Sequence, residues 1–282
     1  MLKARARERK ELLAYEVGRL VHLPGTRPYI FYLVFKHEAL RAVGLLEKVA
    51  QVFTELDTPI LQLKTSVPYA GESLRVIVIT DLAGRESLAS KLAEMLRKIP
   101  TVLKVEYEEP LMDGWVLDTK SFPLRLFNER AILMNRAVYE GLIRSGWERF
   151  GSGYGQLLYI VGFEIGRYVY GRYCSHLDRE LMSKLALNLM QLMGYGIVDV
   201  VELDDSGFRA VVRVYDSFEC ELFRGVGEIR GNLVRGMLAG WLAERWGGLS
   251  FEQVTAREVK CIARGDPHCE YHITGRKQGR SR

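Results

Sequence analysis

Residues 257–269 read REVKCIARGDPHC, and this stretch decides how the C-terminal half of the chain is built. Gly265, Asp266 and Pro267 are turn formers. Glycine reaches left-handed backbone angles, aspartate bonds its own backbone, and proline presets φ. Short runs suited to strands flank them, so the stretch reads as a hairpin. With the turn centred on Gly265, Cys261 and Cys269 face each other. Opposed Cβ atoms in a hairpin lie about 4.5–5.5 Å apart. Two sulfurs then reach one ion at about 2.3 Å each, and soft thiolates select zinc over magnesium or calcium. A closed zinc site takes about four ligands. Glu258 lies three residues before Cys261. It shares that face only if the strand bulges or begins after it. His268, His272 and the more distant Cys220 are further candidates. The alternative is a pair of small buried residues without a metal.

Outward from the hairpin, residues 251–273 read as strand plus hairpin, and residues 232–246 as a helix stopped by Gly247-Gly248. Residues 197–203 and 208–215 read as two strands joined by Asp204-Asp205-Ser206-Gly207, which is strong turn chemistry. Residues 217–223 extend the second strand. Upstream, helical spacing marks residues 129–150, 156–173 and 181–193, with a glycine-rich break at 151–155. Gly162 and Gly166 lie four apart, as do Gly236 and Gly240. That spacing leaves one helical face bare. Either two helices pack closely there, or a ligand reaches the backbone. This half reads as an α+β domain of helices packed on an antiparallel sheet.

The N-terminal half has a different rhythm. Residues 29–35, 60–66, 74–80 and 102–109 read as strands, and residues 44–56 and 85–98 as helices. The order βαββαβ is ferredoxin-like. Before Pro24, Leu12, Leu13, Val17, Leu20 and Val21 fall at helical spacing.

The chain has 282 residues, which suits two domains, and 48% of them are hydrophobic, enough for two cores. The net charge of +5 is mild and concentrates at the two ends. Such ends read as solvated tails, and direct nucleic-acid binding is not expected. No secretory signal or membrane-length apolar run is visible, so a cytoplasmic location is expected. Four cysteines in such a chain are not a disulfide framework.

Residues 27–109 resemble an ACT domain, through Gly44-Leu45-Leu46, Val49, Phe53 and Pro59-Ile60. That resemblance implies a regulatory, self-pairing module. Residues 124–275 resemble the 4-vinyl-reductase domain family, the hydrocarbon-binding modules related to TRAPP tethering subunits. The resemblance rests on Leu157-Leu158-Tyr159 through Gly166, on Arg235-Gly236 with Gly240, and on Glu258-x-x-Cys261 with Gly265-Asp266-x-x-Cys269. It implies zinc held by Glu258, Cys261 and Cys269. The family's upstream cysteine falls at Gly231, and Cys220 is the candidate replacement. It also implies a small apolar ligand, for which Tyr159, Phe163 and Trp241 are the candidate lining residues.

The expected organisation is a basic helix over 1–26, an ACT-like regulatory domain over 27–112 and a linker over 113–123. A 4-vinyl-reductase-like ligand-binding domain over 124–275 and a basic tail over 276–282 follow. The resemblance implies a non-enzymatic sensor, a homodimer acting in transcription through a protein partner. The other readings are a reductase or accessory protein acting on a vinyl group, and a dimeric scaffold or tethering subunit. No dinucleotide fingerprint and no paired acid and base are visible in the sequence.

Overall fold

Two apolar runs, Pro28–Phe35 and Leu74–Asp81, lie side by side in the middle of one sheet, buried on both faces. Strands buried on both sides lose the usual alternation and read as continuous hydrophobic runs. The computed structural model describes residues 12–69 and 71–276, which fall into two units, residues 12–132 and 133–276. The termini expected to be a basic start and a basic tail lie largely outside the described residues.

In chain order the first unit carries β1 (Leu20–His22), β2 (Pro28–Phe35), α1 (Leu45–Glu55), β3 (Ile60–Ser66) and β4 (Leu74–Asp81). It continues with α2 (Leu88–Arg97), β5 (Val102–Glu108), β6 (Trp115–Leu117), β7 (Arg125–Leu126) and β8 (Glu129–Arg130). The main sheet runs β3-β4-β2-β5, all antiparallel. This is the ferredoxin-like order that βαββαβ connectivity produces. Both helices bury one stripe, Leu45, Val49, Val52 and Phe53 on α1 and Ala89, Leu92, Ala93 and Leu96 on α2. They meet Phe31, Leu33 and Val78 from the sheet.

Ile30, Tyr32, Ile77 and Ile79 occupy the other face, and Val116 covers them. This corrects two expectations. Residues 12–18 form no helix, and Leu20–His22 is a strand paired with Trp115–Leu117. His22 stacks on Trp115 with ring centroids 4.0 Å apart. Val21 and Val116 sit over the second apolar face of the sheet, which outweighs the local helical spacing. The stretch 113–123 therefore contributes a strand rather than a bare connector.

The second unit carries α3 (Arg136–Phe150), α4 (Ser152–Val169), a π-helical turn (Tyr170–Cys174), α5 (Arg179–Leu192), β9 (Ile197–Asp204) and β10 (Arg209–Tyr215). These are followed by α6 (Phe218–Glu221), α7 (Leu233–Arg245), β11 (Val254–Lys260) and β12 (Cys269–Gly275). Its antiparallel sheet runs β11-β12-β10-β9. The β9–β10 turn forms as its sequence demands. Asp204 Oδ1 accepts the N–H groups of Ser206 and Gly207, each at 3.0 Å.

Three element boundaries differ from expectation. The helix expected from residue 129 begins at Arg136, where the Asn135 side chain accepts the Val138 N–H at 3.3 Å. That bond caps the first turn. Of the glycine-rich break only Gly151 leaves the helix, with φ at 59°, and Ser152 starts the next one. Residues 218–221 are helical, so Cys220 stands on α6 and not on an extension of β10.

The paired glycines on α4 and α7 serve close packing. A Cβ on Gly162 would overlap Leu233 O, and one on Gly166 would overlap Met237 O. In return, Gly236 lies against Tyr159 O and Gly240 against Phe163 O. Each helix rests its bare face on the other's backbone, and α7 packs on β11 and β12. The fold is α+β throughout.

Candidate functional site

Four side chains meet inside the second unit: Cys220 from α6, Glu258 from β11, Cys261 at the end of β11, and Cys269 from β12. All four are buried, and their ligand atoms lie within 4.8 Å of one another. Cys220 Sγ is 3.7 Å from Cys261 Sγ and 3.9 Å from Glu258 Oε1. The edge of a tetrahedron of sulfurs around zinc is about 3.8 Å, from a Zn–S distance of about 2.3 Å. The spacing therefore fits one tetrahedral ion.

The local sequence explains how the ligands converge. Glu258 pairs with Tyr271 and Lys260 with Glu270, so the register shifts by one residue at Val259. This β-bulge turns Glu258 and Cys261 to the same side, which a regular strand forbids. Arg264 holds the bulge, donating to Val259 O at 2.8 Å and pairing with Asp266. Asp266 Oδ2 in turn accepts the Cys261 N–H at 2.8 Å. Gly265, with φ at 106°, closes the turn in a region few other residues tolerate.

Four acidic groups packed this closely cannot all ionise without a cation. Hydrogen bonds to Cys261 and Cys269, and then burial, push the Cys220 thiol well up. Burial, and then the neighbouring Cys261 charge, push the Glu258 carboxyl up as well. Thiol donors Cys220 and Cys269 push Cys261 down. A dication would replace the shared protons, because its charge reverses the local balance. Backbone groups already face the donors. The Gly231 N–H donates to Glu258 Oε2 at 2.9 Å, and the Arg230 N–H donates to Cys261. The donor set fits a closed zinc-type ion.

Neither histidine joins the cluster. Nε2 of His268 and of His272 both face the Glu270 carboxylate, at 3.6 and 3.2 Å. Arg213 also pairs with Glu270, at 2.8 Å. Cys174 is buried in the π-helical turn, apart from the other three cysteines, and none of the four forms a disulfide.

Two buried residues beside the cluster escaped the sequence reading. Glu219, the neighbour of Cys220, accepts the N–H groups of Asn232, Leu233 and Val234, each at 2.9 Å. It therefore caps α7 from another segment, and Asn232 makes no side-chain cap of its own. Burial pushes the Glu219 carboxyl up to about 7, against the lowering pull of the three N–H groups. Tyr271 is fully buried on β12, on the same face as Cys269. The i, i+2 spacing of Cys269 and Tyr271 was the signal for it.

A second feature is an apolar cavity of about 70 Å³ between α4, α5, α7 and the β9–β10 strands. Ala186, Leu187 and Met190 of α5 form one wall, and Met237 and Trp241 of α7 another. Of the three expected lining residues, Trp241 lines it. Tyr159 and Phe163 instead pack on Phe251, with ring centroids 5.5 and 5.1 Å away. The one hydroxyl in the lining is Ser183. It donates to Arg179 O at 3.0 Å and accepts from Arg245 at 3.2 Å. Arg245 is almost wholly buried and forks onto Asp205 with two bonds of 2.8 Å. Burial alone would raise the Asp205 carboxyl, but the Arg245 bonds outweigh it and hold it low.

No protein-family model matches the chain. An uncharacterized protein of Methanocaldococcus jannaschii is 26% identical over 131 residues, which cover 46% of this chain and 70% of that protein. Among solved structures, the chain is similar to the phenol-responsive sensory domain of the transcription activator PoxR, solved with phenol. The identity is 19% and the TM-score 0.45, over 54% of this chain and 79% of that one. A vinyl-4-reductase family protein from Methanocaldococcus jannaschii matches at 18% identity and TM-score 0.36, over 52% and 85%. The ACT domain from GTP pyrophosphokinase of Chlorobium tepidum matches at 17% identity and TM-score 0.24, over 29% and 99%. No helix among the described residues is long and apolar enough to cross a membrane.

Proposed function

We propose that this chain is a non-enzymatic regulator whose second unit binds a small, uncharged, apolar molecule beside a structural zinc ion. The observation that carries the reading is the cavity, whose lining holds one hydroxyl and no charged side chain. Small-molecule sites are mostly apolar, with a few placed polar groups. The cavity is about half the ~150 Å³ apolar cavity that admits benzene. A ligand of that class therefore needs some side-chain adjustment. Met190 and Met237 in the wall supply it, since thioether side chains repack readily.

Zinc would be held by Cys220, Glu258, Cys261 and Cys269. With four protein ligands it would fix the hairpin to α6 and leave no open position, as structural sites do. The ACT-like unit would pass the signal to a protein partner, in transcription on this reading. The homodimer implied by resemblance has an apolar face available in Val138 and Leu142 of α3 and Leu157 and Ile160 of α4, all exposed.

Native mass spectrometry of the purified chain tests the reading directly. We expect one zinc per chain, and a mass shift on adding toluene that chelator treatment reduces. A metal-free chain that neither carries nor takes up an apolar molecule would sink the proposal.

A further inference from the structure

Tyr271 is fully buried, yet its hydroxyl has no hydrogen-bond partner among the described residues. Leaving a buried hydroxyl unpaired costs about 1–3 kcal/mol. Such a group in a well-packed site calls for an explanation, and an ion or a rearranged neighbour is the usual one. The surroundings supply the neighbour. A Cβ built on Gly231 would lie 2.6 Å from Tyr271 Oη and 2.6 Å from Glu258 Oε2. Both oxygens thus share the space that glycine leaves open. Gly231 does not have a positive φ, so its backbone conformation is open to other residues. Its lack of a side chain is what the site uses.

The Glu258 carboxylate has two distinct oxygens. Oε1 faces Cys220 Sγ at 3.9 Å, on the sulfur side of the cluster. Oε2 accepts the Gly231 N–H at 2.9 Å. An ionised carboxylate oxygen accepts more than one hydrogen bond. A phenol hydroxyl is a ready donor at neutral pH. We infer that Tyr271 is a positioning residue of the metal centre, donating its hydroxyl proton to Glu258 Oε2 when Glu258 Oε1 binds the ion. The inference rests on the zinc reading above. The Gly231 N–H and the Tyr271 O–H then fix the carboxylate through its second oxygen. Such outer partners orient a ligand and raise its affinity, and losing one costs about 10–100-fold in metal binding.

The experiment compares the full-length wild-type chain with Tyr271→Phe. Zinc affinity is read by competition with a chromophoric chelator, and geometry by the visible spectrum of the cobalt(II) form. Cooperative thermal unfolding is recorded without metal. For Tyr271→Phe we expect zinc binding about 10–100-fold weaker, with shifted cobalt bands. Metal-free unfolding should match the wild type or exceed it. In a Glu258→Gln background, Tyr271→Phe should change affinity by less than about 3-fold, because the acceptor charge is gone. Zinc binding within about 2-fold of wild type and an unchanged cobalt spectrum would overturn the inference while leaving the zinc reading intact. Loss of cooperative metal-free unfolding in Tyr271→Phe would also overturn it, since an unpaired oxygen does not hold the metal-free fold together. A wild-type chain that binds neither zinc nor cobalt would instead remove the zinc reading itself.

Discussion

The first turn of α7 and its last two turns meet opposite surroundings. At the start, three backbone N–H groups converge on one buried carboxylate, Glu219, whose neighbour Cys220 belongs to the buried Cys/Glu cluster. Further along, Met237, Leu238, Trp241 and Leu242 face a cavity whose lining offers one hydroxyl. One end is dense in polar groups that bond one another, and the other has almost none. The difference separates a part held in one geometry from a part whose side chains can repack. Hydrogen bonds and metal ligands are directional, so they specify positions. Apolar contacts are not directional, and methionines in particular repack at low cost.

The largest expected effect comes from the element shared by both ends. Gly240 sits against Phe163 O on α4, with no room for a side chain. Alanine gains about 1 kcal/mol of helix propensity over glycine. Overpacking against a backbone atom costs about 1–3 kcal/mol and sometimes more. Here the backbone of α4 itself must move. We expect Gly240→Ala to destabilise the second unit by about 3 kcal/mol, measured by urea unfolding. Zinc binding and toluene binding should weaken together, because both ends of α7 shift. A stable Gly240→Ala protein would mean that the two ends are independent.

Glu219 tests the first end alone. Glu219→Ala strips the acceptor from three N–H groups and leaves a buried gap. Losing a cap typically costs about 1 kcal/mol, and burying unpaired donors adds about 1–3 kcal/mol. We expect about 2 kcal/mol in thermal unfolding, and weaker zinc affinity through the adjoining Cys220. Glu219→Gln keeps one acceptor oxygen and should lose about half as much. Loss of toluene binding with zinc affinity unchanged would reverse the assignment of the two ends.

The same contrast sets what the sequence reveals. In the first unit, β3 spans the expected residues 60–66, and α1 and α2 lie within one to three residues of the expected bounds. Local periodicity there agrees with tertiary burial. It fails at Leu20–His22, where a partner strand nearly a hundred residues away decides the conformation. In the second unit the spacing of Glu258, Cys261 and Cys269 was legible, and the need for a bulge could be stated. Its location at Val259 was not, because Arg264 fixes it from beyond the strand. Cys220 is legible as a candidate ligand but its helix is not, since a four-residue helix carries too few turns for periodicity to show. Glu219 was invisible because its partners are backbone groups, which leave no mark in composition. The cavity was legible only through Trp241 and the bare face at Gly166, since nearly all the rest of its wall is the ordinary Ala, Val, Leu and Met of any core.

The smallest effect isolates the cavity end. Ala186 on α5 borders the cavity and makes little of the unit's buried core. Ala186→Leu adds three methylene-sized groups to space that is already open. Filling an existing cavity avoids the strain of overpacking and buries extra apolar area, at about 0.8 kcal/mol per group when the fit is good. The leucine side chain gives back about 0.5–1 kcal/mol of rotamer freedom. We expect net stability to rise by about 1.5 kcal/mol when the side chain fits, read as a higher unfolding midpoint. Toluene binding should be lost, because the added side chain takes the guest's place, while zinc affinity stays at the wild-type value. If Ala186→Leu still binds toluene with wild-type affinity, the guest lies elsewhere, and the contrast between the two ends of α7 describes packing rather than function.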